Sequence, residues 1–369
     1  MKNLFDKTKF KNMELKNRMI RSAMHEGLAD KEDGSISDEI VNIYKDVAKG
    51  GISTIITGFA FTVEGENPTH RMLAAYDDRF IDGFKRLTDT VHKYRANIIL
   101  QLASGGSQAK FNYRKRKIYG PSAVEHKFTG ITPIEMTQDD INRLVESFGD
   151  AALRAKKGGF DGVQIHAAHG YLLSQFLAPY YNRRKDEYGG STENRARIIF
   201  EVYKNMRKKV GDDYPVMIKI NCSDFMDNDG FTLEECLFVC KKLDEMGIDL
   251  IEISGNVGFN KTEPQLIRPD INKDKDKQSY FSEYAKKIAK EVSVPVSVVG
   301  GNRDFAMMTD ILNNSEIQYF SLARTILREA DLVNKWKDNP EYDPACISCN
   351  QCWSLKHGNI CIFNRPGRE

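Results

Sequence analysis

Hydrophobic positions along the chain fall into two alternating kinds of segment. Short, nearly continuous apolar runs rich in β-branched residues occupy 19–23, 53–57, 98–102, 162–166, 216–221, 250–254, 296–299 and 319–322. Runs this short and this apolar suit strands covered on both faces. Between and after them, 38–49, 79–94, 138–157, 192–210, 232–246, 279–291, 303–312 and 330–337 repeat apolar residues at the helical period. Thr137 and Asp140, at the start of the third of these, read as an N-cap and its capping-box partner. Eight strands each followed by a helix predict an α/β fold, a (β/α)8 TIM barrel, rather than an open sheet. The barrel is expected over residues 1–340, with a Cys-rich C-terminal extension over 341–369. A basic insertion rich in Gly, Tyr and Phe, 105–136, follows the third strand; it either caps the barrel mouth or makes a surface excursion.

Composition narrows the classes. Lys and Arg total 54 against 52 Asp and Glu, a net charge of +2 that gives no electrostatic case for nucleic acid or a membrane surface. No apolar run approaches the roughly 18–20 residues of a membrane span. The segment Met1–Lys7 lacks the apolar stretch of an export signal, so a cytoplasmic location is expected. Seven cysteines, an odd number, argue against a disulfide framework in that compartment. Four of them crowd into the last 24 residues.

A barrel of this kind carries its site at the C-terminal ends of its strands. After the seventh and eighth strands come Gly300-Gly301-Asn302-Arg303 and Ala323-Arg324, where barrels commonly hold a phosphate on backbone N–H groups. After the fourth comes His166-Ala-Ala-His169-Gly-Tyr171. Two imidazoles at this spacing act on one small oxyanion or one metal, or simply form a buried hydrogen-bonded pair. A zinc site would need a third ligand, and among the other strand ends only His25 offers a further imidazole. Gln101 and Lys219 point instead to a flat heterocycle, since an amide pairs with an imide edge and a cation stabilises an anionic ring.

These residues sit within a longer pattern. His166-Ala-Ala-His169-Gly-Tyr171-Leu continues through Gln175-Phe176-Leu177, Asn182-Arg183, Asp186-Glu-Tyr188-Gly189-Gly190-Ser191 and Glu193-Asn194-Arg195. With it the chain resembles the old yellow enzyme family of FMN-dependent oxidoreductases over nearly its whole length. The resemblance implies FMN across the barrel mouth. Ser22, Ala23 and Met24 match the strand-one segment against the flavin, Gly58 the end of strand two, and Gln101 the amide facing the pyrimidine ring. Lys219 stands where many members carry Arg, keeping the charge near flavin N1 without the bidentate fork. Gly300, Gly301, Ala323 and Arg324 match the phosphate site. His166 and His169 match the pair that polarises a substrate carbonyl or carboxylate, and Tyr171 the proton donor. The implied activity is an ene-reductase: NADH or NADPH reduces FMN, and hydride then passes to the β-carbon of a small-molecule enone or enoate. Homo-oligomers are also expected of the family.

Cys346-x2-Cys349-x2-Cys352-x8-Cys361 resembles the iron–sulfur segment of larger members, among them dienoyl-CoA and enoate reductases and trimethylamine dehydrogenase. Such thiolates suit a [4Fe-4S] cluster. The final spacing is shorter than in that subfamily, which leaves a structural zinc or metal-free thiols as alternatives. Larger relatives continue into a reductase region, whereas this sequence ends eight residues after Cys361. A cluster would then draw electrons from a ferredoxin or flavodoxin-like partner. Segment 20–28 has no Cys for a covalent flavin link, and 255–268 has neither the Trp of an amine cage nor the His of dienoyl-CoA reductases. Phe59, Phe61 and Phe259 are candidate pocket walls. The competing readings are an amine or N-methyl dehydrogenase, an electron-relay iron–sulfur flavoprotein, and a zinc-dependent barrel hydrolase.

Overall fold

The computed structural model describes residues 1–257, 263–354 and 356–365. Eight parallel strands, β1 (Met19–Arg21), β2 (Thr54–Ile56), β3 (Asn97–Ala103), β4 (Gly162–Ala167), β5 (Val216–Asn221), β6 (Leu250–Ser254), β7 (Val296–Val298) and β8 (Ile317–Leu322), pair in sequence order. Phe320 of β8 lies opposite Met19 of β1, and this pairing closes the ring. The principal helices are α1 (Asp38–Lys49), α2 (Ile81–His92), α3 (Gln138–Lys157), α4 (Thr192–Val210), α5 (Leu233–Glu245), α6 (Ser282–Ala289), α7 (Phe305–Asn313) and α8 (Leu332–Asp338), with short helical turns at Leu172–Leu177 and Arg324–Arg328. The protein is the expected (β/α)8 barrel.

Local chemistry starts most of these helices where the pattern predicts. Ser37, Ser191 and Asp304 each accept a hydrogen bond from the third residue of the helix that follows. Thr137 and Thr232 form full capping boxes with Asp140 and Glu235. Segment 279–291 yields a shorter helix than its periodicity suggests. Ser279 takes a φ of +45°, and Tyr280 and Phe281 are used to wall the glycine corner described below.

Two features position the site. A hairpin of Thr8–Phe10 and Met13–Leu15 sends Phe10, Met13 and Leu15 against Ile20, Ile56, Ile99, Met217, Leu250 and Tyr319, filling the barrel interior with an apolar plug. The polar residues of the interior are thereby gathered toward the other end. Strand β1 is also shorter than expected: residues 22–24 leave the sheet and run over the mouth, held at Ser22 by a 2.8 Å N–H bond to the Leu322 carbonyl. Among the described residues no helix is long and apolar enough to cross a membrane. Thr137→Ala removes the cap of the 20-residue α3 and is expected to lower stability by about 1 kcal/mol in urea denaturation.

Candidate active site at the barrel mouth

A cavity of about 510 Å3 opens at the C-terminal ends of the strands. Its floor is a polar layer inside the barrel. Lys219 of β5 and Glu252 of β6 are direct register partners, and their side chains form a buried ion pair, Nζ to Oε2 3.1 Å. Lys219 also donates to Ser22 Oγ at 2.8 Å, and Ser22 donates to Glu252 Oε1 at 3.0 Å. Gln164 Nε2 donates to Glu252 Oε2 at 2.9 Å, and Gln101 Nε2 donates to Gln164 Oε1 at 2.7 Å. Three donors thus converge on one carboxylate, and Gln101, Lys219 and Ser22, which border the cavity, are oriented from beneath by Gln164 and Glu252. Buried charge is tolerable only when paired and hydrogen-bonded to this degree.

Above the floor stand His166, His169 and Tyr171. β4 delivers His166, and the chain then turns sharply: His169 and Gly170 both lie in the left-handed region, φ +62° and +79°. That turn makes Tyr171 the first residue of the loop-to-helix corner before Leu172–Leu177 and brings its ring within 5.0 Å of His166, centroid to centroid. The two imidazoles meet edge to face at 5.2 Å. His169 is fixed by Ser254 Oγ at 2.8 Å from Nε2 and by its own N–H to Asn221 Oδ1 at 3.2 Å. Burial, reinforced by the Lys219 charge, pushes His169 down to about 3 and His166 well below the ordinary imidazole range. Both rings are therefore neutral near pH 7. Burial moves the Tyr171 phenol upward, so it keeps its proton.

The opposite wall is the glycine corner. Gly300 and Gly301 have φ of +117° and +77°, and a Cβ on either would come within 2.6 Å of Phe281 or 2.8 Å of Tyr280. Only glycine lets the backbone approach this closely. Ala323, Arg324 and Thr325 complete the wall. Arg324 donates to the Arg268 carbonyl at 2.8 Å and to Asn350 Oδ1, tying this wall to the loop after β6 and to the C-terminal segment.

Thirteen residues carry the sequence-based site expectations outside the tail. Twelve of them border this cavity: Ser22, Ala23, Met24, Gln101, His166, His169, Tyr171, Lys219, Gly300, Gly301, Ala323 and Arg324. Gly58 does not. Its N–H donates to Glu26 Oε1 at 3.0 Å behind the strand-one segment, where a Cβ would lie 2.1 Å from Glu26 Oε2. Phe59 borders the cavity, Phe61 stacks on Tyr76 in the core, and Phe259 lies outside the described residues. The insertion 105–136 reaches the mouth through Gln108, which donates to the His169 carbonyl at 3.0 Å. Sequence reasoning missed Gln164, Glu252 and Thr325. Gln164 and Glu252 read as strand residues, and the only signal was a polar side chain inside an apolar run.

The C-terminal segment folds back onto the mouth. Arg303 donates to the carbonyls of Cys346 and Pro344, and Glu329 accepts the Ala345 N–H. Cys346 and Cys352 border the cavity. Burial first, then the charges of Cys346, Cys361 and Cys349, push Cys352 up to about 11. Among the described residues no three His, Cys, Asp or Glu side chains gather closely enough to hold a metal ion, either at the His pair or among the C-terminal cysteines.

A model of the NADH:flavin oxidoreductase / NADH oxidase family matches residues 3–342. The chain belongs to this family, that of old yellow enzyme. It is 32% identical over 354 residues to an NADH oxidase of Thermoanaerobacter brockii, covering 94% of this chain and 53% of the relative. To an NADPH dehydrogenase of Bacillus subtilis it is 33% identical, covering 88% and 91%. The solved 2-naphthoyl-CoA reductase, in complex with 2-naphthoyl-CoA, superposes with a TM-score of 0.90 at 24% identity, over 99% of this chain and 57% of that one. The chain thus spans about half the length of several of the family members it matches.

Two outcomes are expected of this site. Lys219→Met strands the Glu252 carboxylate in the barrel and should cost about 3–5 kcal/mol, with much of the loss recovered in the double variant carrying Glu252→Gln; denaturant melts check both. An unfolded imidazole takes up a proton below about 6.5, while folded His169 does so only near 3. Between those values the unfolded chain binds more protons, so acid weakens the fold. His169→Gln should flatten the decline of stability between about pH 6.5 and pH 3, measured by urea melts across that range.

Proposed function

We propose that this protein is an FMN-dependent oxidoreductase that reduces an electron-poor C=C bond, an enone or enoate, at the expense of NADH or NADPH. The observation that carries the reading is the convergence of His166, His169 and Tyr171 on one cavity floored by Lys219 and Gln101. The residues fit FMN. Bordering the cavity, His166 Nδ1, Gln108 Oε1 and Thr325 Oγ1 are buried with no hydrogen-bond partner among the described residues, and each is a valence a ligand would satisfy. Ser22, Ala23, Met24, Gln101 and Lys219 would hold the ring system. Gly300, Gly301, Ala323 and Arg324, with Thr325, would hold the phosphate at the glycine corner.

FMN, when bound, would supply hydride-transfer chemistry between the nicotinamide and the acceptor. The chain's own residues handle the rest. Neutral His166 and His169 donate hydrogen bonds to the substrate carbonyl or carboxylate oxygen and stabilise the negative charge that develops there. Tyr171 keeps its proton at neutral pH and delivers it to the α-carbon. One hydride and one proton together account for the saturated product.

Cys346, Cys349, Cys352 and Cys361 are the ligands we assign to a [4Fe-4S] cluster. Four free cysteines in the C-terminal segment, with Cys346 and Cys352 on the cavity wall, support this donor set. Electrons would then enter from a ferredoxin or flavodoxin-like protein, or through NAD(P)H directly. A cytoplasmic setting keeps such thiols reduced. Tyr171→Phe should slow the alkene half-reaction by about 10²–10⁴-fold while flavin reduction by NAD(P)H stays within a few-fold of wild type. Stopped-flow measurement of the two half-reactions separates them, and unchanged rates in both would remove Tyr171 from the role of acid.

A further inference from the structure

The substrate side of the cavity carries a row of aromatic rings that the proposed chemistry does not use. Phe59 packs on Tyr171 with centroids 5.2 Å apart, and His25 stacks on Phe59 at 5.3 Å and 22°. Beyond His25 comes Trp353 of the Cys-rich segment, 5.8 Å away and tilted 48°. Phe59, His25 and Trp353 border the cavity, as Tyr171 does. Trp353 is nevertheless 63% exposed, an apolar surface left open at the edge of a binding site. Its position is held, not incidental. Arg365 donates to the Trp353 carbonyl, and the Ser354 N–H donates to Asn359 Oδ1. Asn359 in turn donates from its backbone to the Glu26 carbonyl at 2.6 Å and from Nδ2 to the His25 carbonyl at 2.8 Å. The C-terminal segment is thus pinned to the strand-one loop at the place where its indole reaches the cavity.

We infer that Trp353, with His25 and Phe59, forms a subsite for a flat aryl group on the reducible acceptor, so that the preferred substrates are aryl-conjugated enoates. The inference rests on the ene-reductase reading above and refines it. Rings of this kind gain by offset or edge-to-face stacking on a planar group, a gain a short alkyl chain does not share. The oxygen of the acceptor would meet His166 and His169, and its aryl end would lie along the row toward Trp353. Neither Trp353 nor His25 touches the reacting atoms in this arrangement; they select the substrate.

The test uses the holoenzyme and two non-reducible probes, 3-phenylpropanoate and butanoate, titrated by the change in cavity-bound flavin absorbance. Trp353 is one of two tryptophans, and the other, Trp336, is fully buried, so indole emission gives a second reading of the same event. The aryl probe should bind at least tenfold tighter than the alkyl one. Trp353→Ala should shrink that ratio to threefold or less, and Trp353→Phe should keep most of it. Steady-state kcat/KM for 3-phenylpropenoate over but-2-enoate should fall in parallel. An aryl preference unchanged in Trp353→Ala overturns the subsite. Tighter binding of tetramethylammonium than of 3-phenylpropanoate overturns it too, in favour of a cation cage. If neither enoate is reduced by any variant, wild type included, the ene-reductase reading itself fails.

Discussion

The buried ion pair between Lys219 and Glu252 is the constraint on which the mouth of this barrel depends. The interior of the strand ring is apolar near the N-terminal hairpin, and a charge buried above that plug needs partners within the protein. Lys219 is held by Glu252 and Ser22, and Glu252 by Lys219, Ser22 and Gln164. Gln164 then fixes Gln101. Each bond that makes the charge tolerable also orients a group at the cavity floor. The layer draws on Ser22 just after β1 and on β3, β4, β5 and β6, so closure of the barrel and construction of the floor are one event.

Around that floor the fold uses conformational cost to place chemistry. Left-handed backbone at His169 and Gly170 is unfavourable, more so at a histidine. It is repaid by Asn221 and Ser254, which grip the His169 backbone and ring, and it turns Tyr171 back toward the imidazoles. On the other wall, the positive φ of Gly300 and Gly301 and the press of Tyr280 and Phe281 bring the main chain itself to the cavity wall. The C-terminal segment adds a third wall through Arg303, Arg324 and Asn359. It therefore belongs to the cavity as well as carrying the thiols.

How much of this was legible in the sequence differed by layer. α1, α3, α4, β5 and β6 begin and end where their periodicity predicts, because capping residues such as Ser37, Thr137 and Ser191 coincide with the hydrophobic period. Segment 279–291 was misjudged at its start, where Tyr280 and Phe281 fit a helical stripe but are spent on the glycine corner. The gathering of residues at the mouth was legible where residue type alone suggests chemistry, as with His166, His169 and Tyr171. It was not legible where a residue acts through another. Glu252 and Gln164 announce themselves only once the barrel register sets them beside Lys219 and Gln101. Gly58, a strand-end glycine matched to a cofactor contact, is not among the residues bordering the cavity and packs closely on Glu26. Trp353 had no local signal at all, since its place at the cavity depends on a chain segment returning from the far end of the sequence to the strand-one loop.

The most direct test of the central claim is the visible absorption spectrum of protein purified without oxygen, with released flavin, iron and zinc quantified on the same sample. The account predicts the flavin bands of FMN at about one per chain, together with about four irons per chain. A protein that takes up no FMN on reconstitution would contradict it, because the polar floor and the glycine corner would then have been built for something else.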